Sequence, residues 1–115
     1  LRKFNHSSSP RDRAIKGLAH ITGGGFLDNL PRVLPKNCDV IIRKGTWEES
    51  PIFKLIREKG RVPEAELYQV FNMGIGMVVI VPTKKAQAVL SFIRARKQKS
   101  WLIGEVVPGT GHVRI

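Results

Sequence analysis

The sequence holds a single cysteine, Cys38, in 115 residues. It cannot form an internal disulfide, which excludes the small stapled domains of secreted proteins and makes a reducing cytosol the expected setting. Long apolar runs are also missing. The longest, Met73 to Pro82, is about half of the ~20 residues a membrane helix needs, and no basic-then-apolar signal pattern opens the sequence. A soluble, untargeted chain without membrane contact is the expectation. Aromatic residues make up only 7%, and acidic side chains are scarce, 9 against 20 Lys and Arg, for a net charge of +11. Such an excess favours anionic partners and says nothing about fold. No internal period appears, and the run Ser7 to Ser9 is the one low-complexity tract.

What remains is an ordinary globular composition, 42% apolar with 11 Gly and 7 Pro, of a length that fits one domain. Residues 1–13 mix Asn5, His6, the serines and Pro10 with scattered cations and read as a linker or frayed end, so the domain is placed at 14–115. Gly17 to Thr22 reads as a strand running into Gly23-Gly24-Gly25. Phe26, Leu27, Leu30, Val33 and Leu34 then recur at helical spacing, with Asp28 in the first turn, and Pro31 and Pro35 keep that helix short. Cys38 to Arg43 is a second strand. Ser50-Pro51 opens a helix through Ile52, Phe53, Leu55 and Ile56, with Ser50 as capping hydroxyl and Gly60 as left-handed stop. Pro63 opens another, with Leu67, Val70 and Phe71 as its buried stripe. Met73 to Val81 reads as a central strand covered on both faces, with Met73 and Met77 in the core. Thr83 caps a last helix whose inner stripe is Ala86, Val89, Leu90 and Ile93, and Trp101–Val107 and His112–Ile115 are closing strands. Strands separated by helices of this length predict an α/β or α+β domain, a layered sheet with helices.

Two constellations could carry chemistry. In Ala19-His20-Ile21-Thr22-Gly23-Gly24-Gly25-Phe26, strand alternation places Leu18, His20 and Thr22 on one face and Ala19 and Ile21 on the other. Three glycines ahead of a helix let backbone amides turn toward a phosphate or carboxylate at the positive helix end. The nucleotide P-loop pattern is absent. A tight strand-to-helix turn without a ligand, and a hydrogen-bonded structural role for His20, are the alternative readings. In Phe71-Asn72-Met73-Gly74-Ile75-Gly76-Met77, alternation puts Asn72, Gly74 and Gly76 on one face. Two glycines within a strand call for a bulge or a close approach by a ligand or a helix. The basic run Arg94-Ala95-Arg96-Lys97-Gln98-Lys99 suits a helix C-terminus. Nucleic-acid binding is the sharper reading of it, disfavoured because no aromatic platform is interleaved. Cys38 has no Cys or His at ligand spacing, so no metal site is expected.

Lys16-Gly17-Leu18-Ala19-His20-Ile21-Thr22-Gly23-Gly24-Gly25-Phe26-Leu27-Asp28-Asn29-Leu30-Pro31-Arg32-Val33-Leu34-Pro35 strongly resembles the signature of the aminoimidazole ribonucleotide synthetase family, the phosphoribosylformylglycinamidine cyclo-ligases. Phe71 to Met77 resembles a second family motif, and Trp47, Pro51-Ile52-Phe53, Gly60 and Trp101 to Val106 follow in the same order. The resemblance runs from about Lys16 to Val107 and covers the family's C-terminal domain only. It implies that the N-terminal domain, with the ATP-binding and metal-binding elements and much of a homodimer interface, lies outside this sequence. It also implies that a strand and helix usual before Lys16 are replaced by Asn5 to Ile15, which reads as incompleteness of the chain.

The activity implied is an ATP- and Mg2+-dependent ring closure of de novo purine synthesis: formylglycinamidine ribonucleotide is phosphorylated on its formyl oxygen, a nitrogen attacks the activated carbon, phosphate leaves and the imidazole forms. The implied partners are this phosphorylated ribonucleotide and the N-terminal domain. The isolated chain is expected to be inactive. His20 and Asn72 are the implied catalytic residues, and Thr22, Gly23, Gly24, Gly25, Asn29, Arg32, Gly74 and Gly76 the implied substrate-binding residues, with Asn29 and Arg32 equally open to a capping or ion-pair role. A basic nucleic-acid-binding module is the competing reading. So is another enzyme of the superfamily, such as formylglycinamidine ribonucleotide synthetase or selenophosphate synthetase, against which the Phe71-to-Met77 motif argues.

Overall fold

The structure, a computed structural model, describes residues 14–115; the linker expected at 1–13 lies outside the described residues. The element order is β1 (Gly17–His20), α1 (Gly25–Asn29) running into a 3-10 turn (Leu30–Val33), β2 (Cys38–Ile42), α2 (Pro51–Lys59), α3 (Glu64–Val70), β3 (Met77–Ile80), a 3-10 turn (Thr83–Lys85) leading into α4 (Ala86–Ala95), β4 (Gly104–Pro108) and β5 (Val113–Arg114). The strands form two small sheets. In one, β1 and β3 pair antiparallel, with His20 opposite Met77. In the other, β2 lies between antiparallel β4 and parallel β5. Helices segregated from small sheets make this an α+β domain, as the element pattern predicts.

The core collects under α1. Phe26, Leu30, Leu67 and Met73 are fully buried, with Ile21, Val40 and Ile42 from the strands around them. The Phe26 ring meets Trp47 edge-on at 5.8 Å and stacks with Tyr68 at 6.4 Å. Trp47 Nε1–H donates to the Met73 carbonyl at 3.0 Å, which gives the buried indole the partner it needs.

Several expectations are corrected. The strand predicted over Met73 to Val81 is shortened to Met77–Ile80, because Met73 (φ 54°) and Gly74 (φ 95°) both turn left-handed. The Asn72 side-chain oxygen accepts the Gly74 N–H at 2.9 Å and closes the turn. Asn72, Gly74 and Gly76 therefore do not share one face of a strand. Nor is β3 a covered central strand: among the described residues it has one strand neighbour, and Met77, expected in the core, is 54% exposed. Val70 is exposed at the end of α3, where Tyr68 takes the inward place beside Leu67. Gly60 ends α2 with φ −83°, and it is Arg61 (φ 53°) that turns left-handed. Ser50 and Thr83 precede their helices without a side-chain capping bond; α4 begins only after the turn that contains Thr83. The α4 stripe stands as predicted, with Val89 buried.

Candidate functional site

The bend between β1 and α1 is built by glycine geometry that no other residue fits. Gly24 has φ 94° and Gly25 φ 61°, and a Cβ on Gly25 would run into the Tyr68 carbonyl and lie 2.8 Å from that of Phe71. The start of α1 thus lies against the end of α3. On the other side of the bend the Ile21 N–H donates to the Gly76 carbonyl at 2.9 Å. Two glycine motifs about fifty residues apart in sequence are thereby fastened together.

Asn29 locks the bend from inside. Only 4% exposed, it donates from Nδ2 to the Gly25 carbonyl at 2.7 Å and more loosely, at 3.4 Å, to those of Thr22 and Gly23. Its Oδ1 accepts the Thr22 hydroxyl at 3.3 Å. With the carbonyls so occupied, and with Gly25 N–H bonded to the Thr22 carbonyl, the amides of Gly23 and Gly24 donate to no group among the described residues. Gly23 is exposed, and no described residue lies within 4 Å of the place its Cβ would take; the same holds for Gly76. The helix dipole contributes less than expected: α1 is five residues long, and the Asp28 carboxylate, held by Gln69 Nε2 at 3.2 Å, sits against Gly24 at its positive end.

His20 and Thr22 are exposed on the open face of β1, while Ala19 and Ile21 are buried, as alternation predicts. Leu18 (46% exposed) and Met77 share the face with His20. Asn72 is half-buried and committed through Oδ1 to its own turn. Gly74 is exposed, and Arg32 is exposed at the 3-10 turn with no bonded partner among the described residues. The structure thus gathers His20, Thr22, the glycine bend and Gly76 in one place, makes Asn29 the internal tie of that place, and gives Asn72 a turn-closing bond.

Asp39 went unnoticed in the sequence. It is 2% exposed, yet its carboxylate accepts the amides of Thr110, Gly111 and His112 at 2.8, 3.0 and 2.8 Å and the Arg114 guanidinium at 2.7 Å. The His112 and Thr110 amides, with lesser help from Arg114 and against the opposing effect of burial, hold its pKa down at about 2. A charged residue inside an otherwise apolar strand, Cys-Asp-Val-Ile-Ile, followed far downstream by Pro-Gly-Thr-Gly, is the signal that could have found it.

The fold is thus an α+β domain in which a strand brings an imidazole and a hydroxyl to a glycine bend. The chain belongs to the family described as AIR synthase related protein, C-terminal domain, whose model matches residues 5–115. It is similar to phosphoribosylformylglycinamidine cyclo-ligases: 47% identical over 96 residues to that of Syntrophotalea carbinolica, 47% over 97 residues to that of Bacillus cytotoxicus, and 48% over 99 residues to that of Caldanaerobacter subterraneus subsp. tengcongensis. These matches cover 84, 84 and 86% of this chain. The chain spans only 27, 28 and 30% of the length of those curated relatives. The family match favours an enzyme domain over a basic nucleic-acid module. Among the described residues no helix is long and apolar enough to cross a membrane.

Proposed function

We propose that this chain is the substrate-side domain of an ATP-dependent cyclo-ligase that closes formylglycinamidine ribonucleotide to aminoimidazole ribonucleotide, acting in the cytoplasm as part of a larger, homodimeric enzyme. The observation that carries the reading is the fastening of the two glycine motifs, Ile21 N–H to the Gly76 carbonyl and Gly25 against the Tyr68 and Phe71 carbonyls. It leaves two free amides and two uncrowded glycines at one open surface.

Phosphoryl transfer asks the protein for position and charge stabilisation more than for covalent help. In this reading the Gly23 and Gly24 amides hold phosphate oxygens, either of the ribonucleotide or of the group being transferred. Thr22 supports them, and the exposed Arg32 supplies positive charge. His20 donates a hydrogen bond to the formyl oxygen as it is phosphorylated. The nitrogen then attacks the activated carbon, the C–O bond to phosphate breaks, and the nitrogen gives up its proton. Asn72, through the amide nitrogen not used in its turn, Gly74 and Gly76 line the floor. The exposed Leu18 and Met77 beside His20 support burial of this face by the N-terminal domain across a cleft. The described residues contain no cluster of three or more His, Cys, Asp or Glu able to hold a metal. The donors for Mg2+, like the ATP site, are assigned to the N-terminal domain, and no step is routed through the ion here.

The test is His20→Ala in the complete enzyme. A fall in kcat of about a hundredfold is expected for a group acting on the reacting oxygen. A loss below about tenfold, or 1.4 kcal/mol of barrier, would strike His20 from the catalytic residues.

A further inference from the structure

Away from the glycine bend, the C-terminal end of α4 faces the segment Ser100-Trp101 and the loop carrying Glu48 across an open groove of about 350 Å³. Three cations line it. Arg94 is fixed in place, its Nε and Nη2 donating to the Ser100 carbonyl at 3.1 and 2.9 Å. Lys97 takes the left-handed position after the helix (φ 60°), where glycine is the ordinary residue, and Lys99 meets Glu48 only loosely at 3.6 Å with both side chains about three-quarters exposed. Arg96 is spent elsewhere, stacked on Phe92 at 3.5 Å and bonded to the Phe92 carbonyl. Trp101, half-buried against the core, gives the groove an aromatic wall, and the Ser100 hydroxyl is buried without a hydrogen-bond partner among the described residues. Trp101, two residues beyond Lys99 in sequence, sets a ring beside the charges.

The geometry points to a binding site for a nucleoside monophosphate in this groove, separate from the glycine bend. The volume falls at the small end of ligand pockets, about 300 to 1,000 Å³. A flat base stacks on Trp101, its phosphate meets Arg94, Lys97 and Lys99, and the Glu48 carboxylate, only loosely tied to Lys99, accepts from an exocyclic amine.

The chain, labelled with 15N, is titrated with adenosine 5′-monophosphate, inorganic phosphate and adenosine. The monophosphate is expected to move the amide signals of Lys97 to Trp101 and the Trp101 indole N–H, and to bind about tenfold more tightly than either half alone. Lys97→Gly, which the left-handed backbone accepts without strain, is expected to keep the fold and weaken binding about fivefold or more, and Trp101→Leu to erase the advantage over inorganic phosphate. Signals that move at Gly23 to Phe26 and not at the groove would overturn the proposal while leaving the proposed function standing. So would binding indifferent to Lys97→Gly, or no shifts at all. A single-stranded oligonucleotide binding about a hundredfold tighter than the monophosphate, with steep salt dependence, would reassign the groove to nucleic acid and overturn it as well.

Discussion

Two corners of the domain solve opposite halves of one problem. At the β1–α1 bend the buried Asn29 amide gathers carbonyls, from Thr22, Gly23 and Gly25, while the Gly23 and Gly24 amides donate to no group among the described residues. At the β2–β5 corner the buried Asp39 carboxylate gathers amides, from Thr110, Gly111 and His112. The second corner is an anion site filled by the chain's own carboxylate, and what that achieves is structural: it docks β5. The first has its acceptors satisfied internally and its donors unspent. The chemical sign of the tying side chain therefore separates a loop whose amides are consumed from one whose carbonyls are consumed.

The comparison can be broken most forcefully at Gly25. Gly25→Ala forces a Cβ into the Tyr68 carbonyl from a left-handed backbone and should destabilise the chain by about 3–5 kcal/mol, read in urea unfolding. Retention of wild-type stability would mean that the two glycine motifs are not fastened as described. Asn29→Ala should come next, at about 1–3 kcal/mol, since carbonyls of the bend lose their donor.

At the other corner the test is pH. A carboxylate whose pKa is lowered from 3.8 to about 2 contributes stability that is present above pH 3.8 and is lost as pH falls through about 2. Thermal melts from pH 5 to 2 should show that loss, and Asp39→Asn should flatten it and speed amide exchange at Thr110 to His112 at neutral pH. A wild-type curve unchanged across the window would remove Asp39 from its role. Smallest in stability are Gly23→Ala and Gly76→Ala, expected within about 0.5 kcal/mol because nothing crowds either site. In the complete enzyme the same changes should lower kcat/KM about tenfold or more if the open surface receives substrate. Large unfolding effects with unchanged turnover would invert the assignment.

The period of two was enough to place Ala19 and Ile21 inward and His20 and Thr22 outward, because a strand's faces alternate whatever it packs against. The spacing of Ala86, Val89, Leu90 and Ile93 served α4 equally well. Alternation failed at Met73, whose left-handed backbone is maintained by the Trp47 indole on its carbonyl and the Asn72 turn around it, tertiary causes that a window of local sequence does not contain. Gly60 and Arg61 show the same limit at a helix end: glycine stands at the stop, yet the residue after it makes the left-handed turn. The glycine bend was legible as a motif, and its tie was not. Asn29 stood within the quoted signature with capping and binding roles equally open, and only its burial among three carbonyls gives it a job. Asp39 left a signal, a charge inside an apolar strand, but its partners lie more than seventy residues downstream, beyond the reach of a local reading.

Gly25 lacks a side chain where the start of α1 meets the Tyr68 and Phe71 carbonyls at the end of α3. Ile21 and Gly76 bond on the other side of the bend, so the two glycine motifs are tied at two points. A displacement at one motif is therefore expected to be felt at the other.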